Sequence, residues 1–120
     1  MLYAILCYND EAMVSAWSKD KDAEVMAHHG AVLDKLAAQR KLGPVARLMP
    51  TTAATTVRDN GEHLILDGPF AETKEQLLGF YVVDCDSLDE AIAIARPLSV
   101  EGGSLEIRPV FYFNPGSGVK

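Results

Sequence analysis

Two helical segments, separated by short strand-like runs, constrain the fold of this 120-residue chain most. The first helix is predicted to begin at an N-cap, either Ser18 or Asp20, and to continue to about Lys41 with few strand formers inside it. The second begins at the capping-box sequence 87–90 and ends before Pro97. A chain that alternates strands with helices in this way favours a mixed fold with a sheet on which the helices pack.

Four strands are predicted around these helices. Each is a short apolar run rich in strand formers or bounded by turn residues. Gly79 inside one run indicates a buried strand or a bulge, and Pro109 in the last run is tolerated only at a sheet edge. Gly43-Pro44 is predicted to stop the first helix. The runs are residues 2–8, the segment after Gly43-Pro44 to Leu48, residues 77–83 and residues 105–113.

A β-hairpin is predicted between the second and third of these runs. The strand-like segments 55–58 and 63–66 flank Asp59-Asn60-Gly61-Glu62. Asn-Gly is the strongest two-residue hairpin signal because both positions tolerate positive φ. That register places Arg58 opposite His63 and Val57 opposite Leu64.

The order of elements predicts an α+β fold of the ferredoxin-like type. A split arrangement of this kind places two helices on one face of a mainly antiparallel sheet. The other face then needs a cover, and a second copy of the chain is the simplest one, so we expect a homodimer. One domain is expected over residues 1–113, with a flexible tail over residues 114–120.

Charge and composition limit the binding partners and the cellular compartment that we expect for this chain. The formal net charge of -6 disfavours nucleic acid, because no broad basic surface is available to neutralise phosphates. The apolar N-terminus turns polar at Asn9, too early for a membrane span or a signal sequence. Cys7 and Cys85 lie outside any C-x-x-C or Cys/His cluster, so we expect reduced thiols in the cytoplasm and no metal site.

The apolar stripe of the first helix places one histidine inward. Stepping about 100° per residue groups five apolar side chains on one face, with His29 at its centre and His28 on the flank. A histidine on such a face is either a core residue with locally satisfied nitrogens or a functional base. The stripe consists of Val25, Met26, Val32, Leu33 and Leu36.

The most distinctive stretch is the polar loop over residues 67–76, between two apolar strands. Gly68-Pro69 predicts a sharp turn, and Phe70 is expected to insert into the core. Asp67, Glu72 and Lys74 would then lie at the end of the sheet, either as solvated charges or as parts of a site.

This loop, Asp-Gly-Pro-Phe-Ala-Glu-Thr-Lys-Glu-Gln, resembles the DGPF-type branch of the YCII-related proteins, and the resemblance covers nearly the whole chain. It implies a ferredoxin-like dimer, of the dimeric α+β barrel type, with a pocket beside the sheet. It also implies an active His-Asp pair, here His29 and Asp67. The doubled His28-His29 leaves open which imidazole corresponds.

Such a pair implies proton transfer. A carboxylate that fixes one imidazole nitrogen leaves the other free to act as a general base, without metal or organic cofactor. One hypothesis is therefore an enzyme that catalyses elimination or isomerisation of a small polar molecule, with Arg47, Glu72 and Lys74 holding its anionic group. Two others stay open: a noncatalytic ligand-binding or regulatory module associated with transcription initiation factors, and a structural dimer. Whether the protein is an enzyme is not decided by its sequence.

Overall fold

A computed structural model describes residues 1–59, 61 and 63–119. Within these residues the chain forms six strands, three α-helices and two short 3-10 helices, over Thr51–Ala53 and Arg96–Leu98. In chain order the strands and α-helices are β1 (Leu2–Asn9), α1 (Glu11–Ser15), α2 (Lys19–Ala38), β2 (Leu42–Arg47), β3 (Thr55–Asp59), β4 (His63–Asp67), β5 (Gln76–Asp84), α3 (Leu88–Ala95) and β6 (Ser104–Pro109).

Four strands form one antiparallel sheet in the order β2-β5-β1-β6, and β3 pairs only with β4 in a separate two-stranded sheet among the described residues. The connections β1-α2-β2 and β5-α3-β6 interleave, so the chain has the predicted ferredoxin-like α+β topology. Ile5 and Tyr81 face each other across β1 and β5 and are buried, and they join a core with Leu36 of α2 and Ala91 of α3. Both helices therefore cover the same sheet face.

Both long helices begin at the predicted caps. The Ser18 hydroxyl accepts a hydrogen bond from the Lys21 amide at 3.0 Å, and the Ser87 hydroxyl accepts one from the Glu90 amide at 3.2 Å. Each bond satisfies an amide that has no partner within its own helix. Of the two N-caps considered for the first helix, Ser18 is therefore the one observed.

The end of α2 differs from the prediction. The helix stops at Ala38 and not near Lys41, and Arg40 takes a positive φ of 57°. This left-handed conformation reverses the chain, so Gly43-Pro44 lies inside β2 and does not stop the helix. Pro44 is tolerated there because β2 is an edge strand, where a missing amide need not break a ladder.

The last strand is shorter than predicted, and a short helix was missed. β6 ends at Pro109, on the opposite sheet edge, and residues 110–113 form no strand. The segment between β1 and α2, for which no element was predicted, contains α1, and the Asp10 side chain accepts a hydrogen bond from the Ala12 amide at 3.0 Å. At five residues, α1 is too short to show a clear helical period.

The hairpin β3–β4, residues 55–67, is called the arm below. Its register differs by one residue from the prediction: Asp59 pairs with His63, Arg58 with Leu64 and Val57 with Ile65. Pairing of residue 59 with residue 63 leaves a three-residue connection with Gly61 at φ 99°, where the prediction assumed a two-residue turn. Asn60, whose turn conformation was predicted, lies outside the described residues.

The two strands of the arm contact mainly each other and not the main sheet or the helices. The radius of gyration is 15.9 Å, against about 14 Å for a compact chain of this length. Val57 and Ile65, which face each other on the arm, are 67% and 73% exposed. Phe70, expected in the core, is 75% exposed, because the turn after β4 also lies outside the core. Among the described helices, none has the length and hydropathy to span a membrane.

Candidate functional site

A cavity of about 190 Å³, called the first cavity below, lies between α2 and the helix-covered face of the sheet. Trp17, just before α2, lies at its wall. Most of the lining is apolar and includes Val25, Met26, Leu33, Val45, Val100 and Leu105. The apolar stripe of α2 is thus divided between the core, which takes Leu36, and this cavity.

His29 lines the first cavity and contacts the central strand β5. Its Nδ1 atom lies 3.2 Å from the hydroxyl oxygen of Tyr81, which also lines the cavity. The two rings meet edge to face, with their centroids 6.3 Å apart. The cavity wall therefore contains a hydrogen-bonded histidine-tyrosine pair.

The surroundings of His29 favour its neutral form. Burial lowers its pKa below the ordinary value of 6.5, and the charge of His28 lowers the pKa further. A hydrogen bond to the Leu98 backbone opposes part of this decrease, and Arg47 adds to it. A neutral imidazole has one nitrogen able to accept a proton, so His29 is in the state that a general base requires.

Tyr81 and Cys7 are also neutral. Burial, aided by the neighbouring Cys7, raises the pKa of Tyr81 to about 12. Burial likewise raises the pKa of Cys7 to about 11, so its thiol is a poor nucleophile at neutral pH. Tyr81 therefore keeps its proton and can donate it in a hydrogen bond.

Which of Tyr81 and His29 donates depends on the tautomer of His29. With its proton on Nδ1, the imidazole donates to the Tyr81 oxygen. In the tautomer with its proton on Nε2, the Tyr81 hydroxyl donates to Nδ1 of His29. The second lone pair of the Tyr81 oxygen is then available to a molecule in the cavity.

His28 lies outside this site. Its ring is exposed, and its Nε2 atom lies 2.7 Å from the Pro97 carbonyl oxygen. Consecutive helix residues point about 100° apart, so only one of the two histidines can face the cavity. Of the pair left open by the sequence, His29 is the one that does.

Arg47, the last residue of β2, lies at the cavity wall. Its guanidinium group contacts both carboxylate oxygens of Asp22 on α2, at 2.9 and 3.4 Å. The hydrogen bond from Arg47 lowers the pKa of Asp22. The ion pair thus links α2 to the edge strand beside the cavity.

The other three predicted site residues lie elsewhere. Asp67 ends β4 on the arm, and Glu72 and Lys74 are exposed in the following loop. None of the three is among the described residues that line the first cavity, and no hydrogen bond joins Asp67 to His29 in the described part of the chain. The structure therefore brings His29 together with Arg47, but not with these three residues.

Tyr81 is the site residue that the sequence did not reveal. Its hydrophobic neighbours in β5 gave it the pattern of a core side chain, and it is indeed buried. Two patterns taken together could have predicted its position. Alternation along β5 places Tyr81 on the helix-covered face of the sheet, and the apolar stripe of α2 directs His29 toward the same face. Within the described residues, no group of three or more His, Cys, Asp or Glu side chains is placed to hold a metal ion.

The fold and cavity define a class of protein, a ferredoxin-like α+β domain with an internal site between its long helix and its sheet. A family model for the YCII-related domain matches residues 1–114, and the chain belongs to the YCII-related family. The chain is also similar to an uncharacterized protein of Rhizobium meliloti (strain 1021), at 59% identity over 120 residues that cover 97% of each chain.

Proposed function

We propose that the first cavity is a proton-transfer site in which Tyr81 and His29 act together on a small molecule. The observation that carries this proposal is the 3.2 Å contact between the Tyr81 hydroxyl and Nδ1 of a neutral, half-buried His29. A hydrogen-bonded base at the wall of a mostly apolar cavity can act on a molecule bound there, where few other polar groups compete for it. The reaction class is abstraction of a proton, followed by elimination or isomerisation.

The proton moves by a relay. The oxygen of Tyr81 takes a proton from a C–H group of the substrate while its own proton passes to Nδ1 of His29. The C–H bonding electrons remain on the substrate as an enolate, His29 becomes an imidazolium, and Tyr81 stays neutral. A concerted relay suits a phenol with a pKa raised to about 12, because a free phenolate would be costly in this environment.

The enolate then reacts in one of two ways. Loss of a leaving group from the neighbouring carbon completes an elimination, and return of the proton to a different carbon completes an isomerisation. Arg47, at the cavity wall, favours the negative charge that develops on the substrate. These steps need only groups of the chain itself. Asp67 as the partner of His29 is supported by the family resemblance alone.

The test is solvent exchange in D₂O with 2-oxobutyrate, phenylpyruvate and acetoacetate as C–H acids, monitored by loss of their proton NMR signals. We expect the protein to accelerate exchange of at least one of them above the buffer rate. His29→Gln and Tyr81→Phe should each reduce that acceleration by about a hundredfold or more, the usual contribution of a general base.

His28→Gln and Tyr112→Phe are the controls, since neither side chain is among the described residues that line the first cavity and both are exposed. They should retain the exchange rate. Exchange no faster than in buffer with all three acids, or an equal rate in His29→Gln, contradicts the proposal. Binding of these acids without any exchange would instead favour the noncatalytic ligand-binding module.

We also propose that the chain functions as a homodimer. A two-stranded hairpin is marginally stable in water by itself, yet the arm exposes Val57 and Ile65 on one face. Leu6 and Phe80 pair across β1 and β5 and, by alternation with Ile5 and Tyr81, lie on the sheet face away from the helices, where they stay partly exposed. A second copy that contacts the arm and this face would cover both apolar surfaces.

A further inference from the structure

Two cavities meet at Arg47. The first cavity shares Arg47, Val14 and Leu78 with a second cavity of about 320 Å³, which lies against α1 and the segment after β2. Arg47 therefore lines both the mostly apolar first cavity and the second one. A molecule that occupies the first cavity can place one end beside Arg47.

One end of such a molecule would contact apolar side chains, and the other would contact a positive charge. The lining of the first cavity is mostly apolar, and among the described lining residues Arg47 is the one lysine or arginine. Arginine binds carboxylates through paired hydrogen bonds from its planar guanidinium group. The cavity thus suits an apolar body that carries a single anionic group.

The present partner of Arg47 is easily replaced. Asp22 and Arg47 form an ion pair of which both side chains are substantially exposed, 37% and 51%. Such exposed pairs contribute little to stability, because water and salt screen them. The carboxylate of a ligand whose apolar part is buried gains the same contacts with Arg47 and adds the burial of that part.

The volume of the first cavity indicates how large the buried part of a ligand can be. A cavity of about 150 Å³ is known to hold benzene in another protein. At about 190 Å³, the first cavity holds one aromatic ring or a short branched chain with a small substituent.

We propose that the ligand of this cavity is a small amphipathic monoanion whose apolar body lies against α2 and whose carboxylate replaces Asp22 at Arg47. The inference rests on the proposed function for its site, and it adds the chemical class of the molecule that the histidine-tyrosine pair would act on. Asp22 is then a competing internal anion, which the ligand displaces when it binds.

The experiment is isothermal titration calorimetry with phenylacetate as probe, compared with the neutral phenylacetamide and with acetate. Phenylacetate should bind, and the other two should bind at least about tenfold more weakly, since each lacks either the charge or the ring. Arg47→Gln should weaken phenylacetate binding by about tenfold or more, and Arg47→Lys by less.

Asp22→Asn supplies the sharper test. Removing the competing carboxylate should tighten phenylacetate binding by several-fold, a gain that misfolding cannot produce. Asp20→Asn is the matched control, because Asp20 is an exposed carboxylate in the same first turn of α2 and should leave the affinity unchanged.

Absence of saturable binding, equal binding of phenylacetamide, or unchanged affinity in both Asp22→Asn and Arg47→Gln overturns the ligand class. The two proposals fail separately. Binding that depends on Arg47 without exchange that depends on His29 removes only the proton-transfer function. Exchange of a C–H acid that depends on His29 but not on Arg47 removes only the ligand class.

Discussion

The hydroxyl oxygen of Tyr81 and Nδ1 of His29, 3.2 Å apart, join the central strand of the sheet to the long helix at the wall of the first cavity. Tyr81→Phe removes the hydroxyl group and leaves a half-buried nitrogen without this partner. We expect a loss of about 1 kcal/mol in the free energy of unfolding, measured by urea denaturation. We also expect a shift in the tautomer equilibrium of His29, measured from its imidazole ¹⁵N resonances.

Asp67→Asn distinguishes the two candidate partners of His29. Asp67 lies at the end of the arm and is not among the residues lining the cavity, so this replacement should leave the ¹⁵N resonances of His29 unchanged. A change in those resonances equal to that caused by Tyr81→Phe would instead support the His-Asp pair implied by the family resemblance.

The lowered pKa of His29 predicts how stability changes with pH. The unfolded chain has the ordinary pKa of 6.5 and therefore binds more protons than the folded chain below that pH. The contribution of His29 is thus fully present above about pH 6.5 and is lost as the pH falls through the lower pKa of the folded state. Urea denaturation at intervals from pH 8 to pH 5 should show this decrease.

His29→Gln should flatten that part of the stability profile, because glutamine does not titrate. His28→Gln is the comparison: it removes only the smaller contribution of His28 to the lowered pKa of His29, while burial of His29 is kept, so most of the slope should remain. Comparing slopes and not absolute stabilities sets aside the loss of the contact with the Pro97 carbonyl. An unchanged slope in His29→Gln would show that another group causes the pH dependence.

The sheet and the long helices were predictable because their signals are local. Ser18 and Ser87 are hydroxyl caps, and the amides that they accept from lie three residues later, as a capping pattern requires. The interleaved order of strands and helices then leaves few ways to bury one sheet face. The ferredoxin-like topology follows from these features without knowledge of any tertiary contact.

What could not be predicted depends on contacts distant in sequence or on backbone angles. Tyr81 becomes part of the site only because β5 lies under α2, 52 residues away along the chain from His29. Arg40 ends α2 by adopting a positive φ, which non-glycine residues seldom take, so the later Gly43-Pro44 was the stronger signal in the sequence. The arm register changed because one more residue in the connection shifts every pair.

Gly79 permits the close approach of β5 to β2. A Cβ atom at this position would lie 2.4 Å from the Ala46 carbonyl oxygen and 3.2 Å from the Arg47 Cα, both backbone atoms. Gly79→Ala should therefore force the strands apart and reduce the free energy of unfolding by roughly 1–3 kcal/mol, measured by urea denaturation.

Gly30→Ala is the opposite case in the same protein. Gly30 lies inside α2, and a Cβ atom there would have no neighbour within 4 Å. Alanine should stabilise the helix by roughly 0.5–1 kcal/mol, because it loses less backbone entropy on folding. If both alanine variants changed stability in the same direction, the close contact at Gly79 would not be the cause of its effect.

The homodimer can be tested on the arm. Light scattering coupled to size exclusion at micromolar concentration should give twice the chain mass of 13.0 kDa for the natural protein. Val57→Asp places a charge on the apolar face of the arm and should shift the mass toward 13.0 kDa, because burying an unpaired carboxylate in an interface is costly.

Leu88→Asp separates a specific interface from general hydrophobic association. Leu88 is 51% exposed at the start of α3, in the helical layer, so an interface formed by the arm and the opposite sheet face would leave it in solvent. This variant should keep the dimer mass. A natural protein that is strictly monomeric at micromolar concentration contradicts the dimer, and equal dissociation by Leu88→Asp would place the interface on the helices and not on the arm.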